Sequence, residues 1–257
     1  MYDFSKMESG ASVTARLPSD NMSVNGEPLN EIVPGYRQLH VAGRGLIGQE
    51  IETITIPSRR GVYVTNIQDK ERELTITFQL VAKKSEDLRN AYTKLNKALR
   101  GELSLVFADE PDFTYKGYLS SVPNDAEQSL TIVSSFTILV PDPFKQGKTK
   151  SSTGLITLTD ADEVLPSKIT LALSGSASEI EITAGNNRMK LKGHYGGGDK
   201  ITIEWLADEF VIKHNANLAL SHLLHLSVPE EFYVKNGDTI KATNATVERV
   251  EWRDEQL

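Results

Sequence analysis

Arg72-Glu73-Leu74-Thr75-Ile76-Thr77-Phe78-Gln79-Leu80-Val81-Ala82 decides the fold class. Leu74, Ile76, Phe78 and Leu80 fall on one face, and Glu73, Thr75, Thr77 and Gln79 on the other. A period of two over that length describes a strand with one side buried. Leu130, Ile132, Phe136, Ile138 and Val140 repeat the pattern in a second long strand. Shorter strands are expected at Tyr36–Ala42, Ile51–Ile56, Val62–Ile67, Leu103–Phe107 and Phe113–Val122. One segment departs from this rhythm. Leu88, Ala91, Tyr92, Leu95, Ala98 and Leu99 recur at helical spacing, which predicts a single helix over 86–100. Ser85 is the expected N-cap, Glu86 and Asp87 suit the positive end of the helix dipole, and Gly101 suits a left-handed stop.

Pro141-Asp142-Pro143-Phe144 ends this region, because two prolines cannot continue a ladder. The following Lys145–Ser152 has almost nothing to bury and reads as a linker. Beyond it lie nine short strand candidates: Leu155–Thr159, Lys168–Leu173, Glu179–Thr183, Met189–Leu191, Ile201–Trp205, Phe210–Lys213, Leu223–Leu226, Thr239–Ala242 and Val247–Trp252. Turn signals such as Gly185-Asn186-Asn187 and Asn236-Gly237-Asp238 separate them. The expected organisation is therefore mainly β: an N-terminal β-domain with one packed helix over 1–144, a linker over 145–152, and a jelly-roll-sized β-sandwich over 153–257.

The 257 residues carry a formal charge of −7 and a pI near 5.4. That balance argues against a nucleic-acid grip, which needs a clustered basic face. There is no cysteine, so disulfides, thiolate zinc sites and cysteine nucleophiles are excluded. No apolar run approaches the ~20 residues of a membrane-spanning helix, and Met1–Gly10 lacks the order of a signal peptide. The expectation is a soluble protein made in a cytoplasm.

Four features invite a chemical reading. Gly43-Arg44-Gly45-Leu46-Ile47-Gly48 matches GxGxxG, but a dinucleotide site needs a helix to follow, and Gln49–Ile56 reads as strand into Pro57. A glycine-rich turn is the better reading. Asp109-Glu110-Pro111-Asp112 gathers three acids, yet adjacency in sequence does not supply a hydrolytic pair spaced across a cleft, and calcium loops want glycine where this run has Pro111. A solvated turn is expected there. His222 and His225, with Glu230, Glu231 and His214 nearby, have no third metal ligand placed by any motif. Trp205, Trp252, Tyr195, Phe232 and Tyr233 read mainly as packing. Tyr195 and Trp205 are the candidate carbohydrate contacts if the sandwich binds sugar. No catalytic constellation, metal site or cofactor site is expected, and the protein is not expected to be an enzyme.

Several stretches together resemble one family. They are Met1-Tyr2-Asp3-Phe4; Val24-Asn25-Gly26 leading to Pro34-Gly35-Tyr36-Arg37 and Gly43-Arg44; Glu50-Ile51-Glu52-Thr53 with Pro57-Ser58-Arg59-Arg60-Gly61; Asp87-Leu88-Arg89 with Leu95-Asn96; Phe107–Asp112 with Tyr115-Lys116-Gly117; and Asp142-Pro143-Phe144-Lys145. In that order they are similar to the distal tail proteins of long, flexible-tailed bacteriophages, the siphophage tail protein family. The likeness is weaker after residue 147, where Glu230-Glu231-Phe232, Lys235–Ile240 and Val247–Arg253 match the family's ending. Gly45 to Gly48 is richer in glycine than the family pattern. The resemblance implies a structural protein of the virion whose N-terminal domain assembles into a homo-hexameric ring at the distal end of the tail, with a galectin-like sandwich projecting outward. Implied partners are the major tail tube protein, the tail-associated lysin or spike protein, the tape measure protein, and receptor-binding or baseplate proteins. DNA would pass through the channel without specific binding. A carbohydrate-binding adhesin module is the alternative, motivated by the sandwich and its aromatics.

Overall fold

The computed structural model describes residues 18–124, 129–206, 209–224 and 227–257. Met1–Phe4, the opening of the family resemblance, and His225 lie outside the described residues. The chain divides into two compact units, 1–143 and 144–257.

The first unit contains β1 (Met22–Val24), β2 (Glu27–Pro28), the short α1 (Leu29–Ile32), β3 (Tyr36–Ala42), β4 (Gln49–Ile54), β5 (Tyr63–Asp69), β6 (Arg72–Val81), α2 (Ser85–Ala98), β7 (Leu103–Phe107), β8 (Glu110–Ser121) and β9 (Thr131–Val140). Antiparallel pairing runs β2-β1-β7-β8-β9-β6-β3. Within the first unit β8 serves two partners: Tyr115 sits opposite Leu105 of β7, whereas Leu119 sits opposite Ile138 of β9. Between them Gly117 lets the strands cross closely, since a Cβ there would lie 2.5 Å from the Leu139 carbonyl oxygen. Leu74, Ile76, Phe78 and Leu80 all point into the core beside Phe136, Ile138 and Val140, as the alternation requires. Each such aliphatic side chain contributes about 1.5–3 kcal/mol by leaving water.

α2 closes that core with Leu88, Ala91 and Leu95. The helix covers most of the expected span. It differs at its start, where Lys84 holds the cap position without a side-chain bond and Ser85 is already helical. It ends as expected: the Leu99 N–H bonds to the Leu95 carbonyl and Gly101 takes φ +83°. Among the described residues β4 and β5 pair only with each other.

The second unit contains β10 (Lys145–Ser152), β11 (Glu163–Val164), β12 (Lys168–Leu173), β13 (Ala177–Ala184), β14 (Asn187–Tyr195), β15 (Lys200–Trp205), β16 (Phe210–His214), β17 (Asn217–Leu218), β18 (Val234–Lys235), β19 (Lys241–Ala242) and β20 (Ala245–Gln256). Within it, one sheet runs β17-β16-β15-β12-β20-β10 and a second runs β14-β13-β19. Ile169, Leu171, Ile201, Ile203, Val250 and Trp252 of the first sheet share a core with Ile180, Ile182, Met189 and Leu191 of the second. This is a β-sandwich, and the described residues are mainly β with one long packed helix, α2.

The expectation of a linker over 145–152 is corrected. Those residues are β10, a strand of the sandwich paired to β20 from Lys145↔Gln256 to Ser152↔Val250. Polar side chains gave no burial signal, but main-chain pairing does not need one. Lys150 adds a 2.9 Å ion pair to the nearly buried Asp254 on β20. Leu155–Thr159 is likewise not a strand, since only Leu155 makes a ladder bridge, to Thr239.

A projecting hairpin and the arginines at its root

Gly43–Gly48 joins β3 to β4, and a strand follows it, so the loop is a turn and not a nucleotide cradle. Gly43 sits at φ +93°, where a Cβ would strike the Glu73 carbonyl oxygen. Two arginines fix this turn from either side. Arg72, at the start of β6 and only 2 % exposed, donates from Nη1 to the carbonyls of Gly43 (3.1 Å) and Gly45 (3.2 Å), and from Nε to that of Pro143 (3.3 Å). Arg44 turns the other way. Its Nη1 donates to Asp109 Oδ2 at 3.0 Å and its Nη2 to Glu110 Oε2 at 2.6 Å, with the guanidinium 4.4 Å above the Phe107 ring. The Tyr115 hydroxyl donates to the same Glu110 oxygen at 2.9 Å. Burial, then the hydrogen bond to Glu110, pushes that phenol's pKa up. The acids at 109 and 110 are thus committed to an ion-pair network, not to a cleft or a cation. Among the described residues no group of three His, Asp or Glu side chains is placed to hold a metal.

The hairpin that leaves this root is exposed along its whole length. β4 is exposed at every residue and β5 at all but one. Ile51, Ile54, Ile56, Val62, Val64 and Ile67 are each more than two-fifths exposed. Register places Ile51 opposite Ile67 and Thr53 opposite Val64 on one face, and Glu52 opposite Asn66 and Ile54 opposite Tyr63 on the other. A lone two-stranded hairpin is marginal in water, and six bare aliphatic side chains in one element are a surface waiting for cover. The sequence showed these strands but not their isolation. Its signal was apolar residues on both faces of a short strand pair.

Elsewhere in the first unit, a cleft of about 630 Å³ lies between the end of α2 and the outer side of β8. Lys97, Arg100, Asn96, Tyr118 and Leu119 line it.

In the second unit both candidate sugar contacts are engaged by neighbouring side or main chain, Tyr195 buried and Trp205 half-buried. Tyr195 is 4 % exposed, and its hydroxyl shares a 3.1 Å hydrogen bond with His222 Nδ1. Its ring meets the edges of His214 and His222, so no sugar can stack on it. Trp205 donates from Nε1 to the Pro229 carbonyl at 2.8 Å and packs on Phe210 and Phe232. His222 serves Tyr195 and His214 serves Asp199, through a 2.8 Å contact. Burial, then the charge of His214, pushes the His222 pKa down. These histidines pack and bond locally.

Residues 28–140 match the family model of the phage tail protein RIFT-related domain. The first unit is a phage tail protein domain. The resemblance to the siphophage tail family is therefore borne out where it was strongest. Of solved structures, the SPP1 Dit (gp 19.1) protein, described as a paradigm of hub adsorption apparatus in phages infecting Gram-positive hosts, is similar to this chain with a TM-score of 0.75 and 19 % identity. It covers 92 % of this chain and 99 % of its own. A chain of the phage p2 baseplate in its activated conformation with Sr is similar at a TM-score of 0.52 and 7 % identity, covering 87 % of this chain and 91 % of its own. No curated protein sequence matches significantly. The likeness to the two solved structures is one of fold, and it spans both the tail domain and the sandwich that follows.

Proposed function

We propose that this chain is the hub protein at the distal end of a long phage tail. Six copies close into a ring through the tail domain, and the sandwich projects from it. The observation that carries this reading is the match of fold over nearly the full length to a hub protein, in a chain whose first unit is a tail-protein domain. The bare hairpin supports it, because a ring subunit must present apolar surface that only its neighbour covers. One side of the ring would meet the major tail tube and tape measure proteins, and the other the tail-associated lysin or spike. Receptor-binding or baseplate proteins would attach outside. The net acidic chain suits a channel that lets DNA pass without holding it. On this reading the protein is made in the host cytoplasm, acts in the virion and catalyses no reaction.

The test is the mass of the purified chain by light scattering, with negative-stain images of the peak. Particles of about six chains with a central hole are expected, because heterologous contacts that close by rotation give rings. A monomer that stays monomeric beside a tail tube protein would refute the hub. The adhesin alternative has less support, because Tyr195 is buried against His222 and the half-buried Trp205 donates to the Pro229 carbonyl.

A further inference from the structure

The ring reading leaves open which surfaces meet, and the first unit carries two that complement each other. The outer strand face of the hairpin sets Glu50, Glu52 and Ile54 in a row, with Tyr63 opposite Ile54. Two carboxylates thus lie toward the root, and an aliphatic and an aromatic side chain lie toward the tip. The cleft at the end of α2 offers the converse set. Lys97 and Arg100 are exposed on the helix, and Tyr118 and Leu119 are on β8 beside them. Among the described residues, none of Glu50, Glu52, Lys97 or Arg100 is taken up by an ion pair within the chain. The four charges are therefore open, while Arg59 lies over the Tyr63 ring at 5.0 Å and the Tyr118 hydroxyl donates to Glu102 at 3.3 Å. Because they are different patches on one molecule, joining them is heterologous. Repetition then produces a ring if the rotation closes, not a two-fold dimer.

We infer that the β4–β5 hairpin of one copy docks into the cleft between α2 and β8 of the next. Glu50 and Glu52 face Lys97 and Arg100, and Ile54 and Tyr63 lie against Tyr118 and Leu119. This rests on the ring reading and names its contact. The occupant is a second copy and not a foreign protein, since this chain supplies both halves of the charge pattern. Docking also removes the hairpin's instability, because it gains a packed face that it lacks alone.

The experiment is charge reversal with rescue, read by light scattering and native mass spectrometry of the full chain. Glu50→Lys with Glu52→Lys should raise the concentration for half-assembly at least ~10-fold, and Lys97→Glu with Arg100→Glu should do the same. Mixing the two variants should restore association only between unlike copies, and the quadruple variant should assemble like the natural chain. Since the protein has no cysteine, Glu52→Cys and Arg100→Cys in one chain give a second readout. Mild oxidation should join copies in a ladder ending at the closed ring, while each single-cysteine chain should stop at dimers. Rings that survive both reversals would overturn the contact while leaving the hub standing. Loss without rescue, with no cysteine ladder, would overturn it too. A natural chain that stays monomeric at all concentrations, with no ladder, would overturn the second copy as occupant and assign the hairpin to another tail protein.

Discussion

Arg72 holds the Gly43 carbonyl oxygen at 3.1 Å from its Nη1, while the Arg72 side chain is almost wholly shielded from water. The contact ties the start of β6 to the turn from which the hairpin springs. A planar guanidinium suits the task, since it donates along several fixed directions at once and loses little freedom in doing so. It also lies over the Tyr115 ring, 5.6 Å from the centroid. Arg44 holds the same turn from outside through Asp109 and Glu110. The hairpin's direction is thus set by two arginines and not by its own packing.

Arg72→Ala removes three donor contacts from buried or part-buried carbonyls and opens a void beside Tyr115. The expected cost is about 2–4 kcal/mol in the first unit. Both tryptophans of the chain, Trp205 and Trp252, belong to the second unit. Urea unfolding should therefore show the loss in the far-UV circular dichroism transition and leave the tryptophan fluorescence transition in place. Arg72→Lys should recover only part of the loss, because a point ammonium cannot serve three carbonyls in a fork. Equal shifts in both transitions would contradict this placement.

The glycines of the same turn separate by their surroundings. Gly43→Ala puts a methyl against the Glu73 carbonyl at a positive φ and should cost about 2 kcal/mol or more. Gly45→Ala meets nothing within 4 Å and no left-handed backbone, so it should change stability by less than about 0.5 kcal/mol. The pair is measured by the same circular dichroism melt. Similar effects from both would mean that Gly43 is not held as described.

How much of this was legible depends on which force shaped each element. The core strands at 72–81 and 131–140 could be read because one face is buried, which writes itself as alternation. The helix could be read through Leu88, Ala91 and Leu95 for the same reason. β10 could not, because Lys145–Ser152 is held by main-chain pairing and by Lys150–Asp254, neither of which leaves a hydrophobic pattern. Tyr195 could be read two ways, because a tyrosine serves equally as a surface platform or as a buried ring with a bonded hydroxyl, and only tertiary contact with His222 decides. The Arg44 and Arg72 network joins residues 29 to 71 positions apart, through bonds to Gly43, Glu110 and Pro143 that no local spacing encodes.

Asp254 makes the sandwich sensitive to acid. Its burial opposes ionisation, but the Lys150 ammonium and the N–H groups of Thr159 and Ala161 outweigh this and hold the carboxyl at about 2, below the usual 3.8. A carboxyl whose pKa is depressed on folding adds stability that is complete above the unfolded value. That stability is lost as pH falls from about 4 toward 2, because the unfolded chain then binds the proton more readily. Asp254→Ala should lower the stability of the second unit by about 1.5–3 kcal/mol at neutral pH and flatten this acid dependence. Tryptophan fluorescence in urea, repeated between neutral and acid pH, measures both. An unchanged slope in the variant would place the acid sensitivity elsewhere.

The hairpin should respond in the opposite sense from the core. Ile54→Ser and Ile67→Ser alter side chains that are already more than half exposed, so the isolated unit should lose less than about 0.5 kcal/mol. Leu74→Ala, which empties a fully buried site in β6, should cost about 2–5 kcal/mol. Assembly should reverse the order. In the proposed ring Ile54 moves from water into the cleft of the next copy, so Ile54→Ser should weaken association at least ~10-fold, by the area rule for buried aliphatic groups. Leu74→Ala should weaken it only as far as it unfolds the subunit. Stability by circular dichroism and mass by light scattering on the same samples separate the two effects. If the isoleucine variants were to unfold the monomer while still forming rings, the hairpin would belong to the core of its own subunit and not to its neighbour.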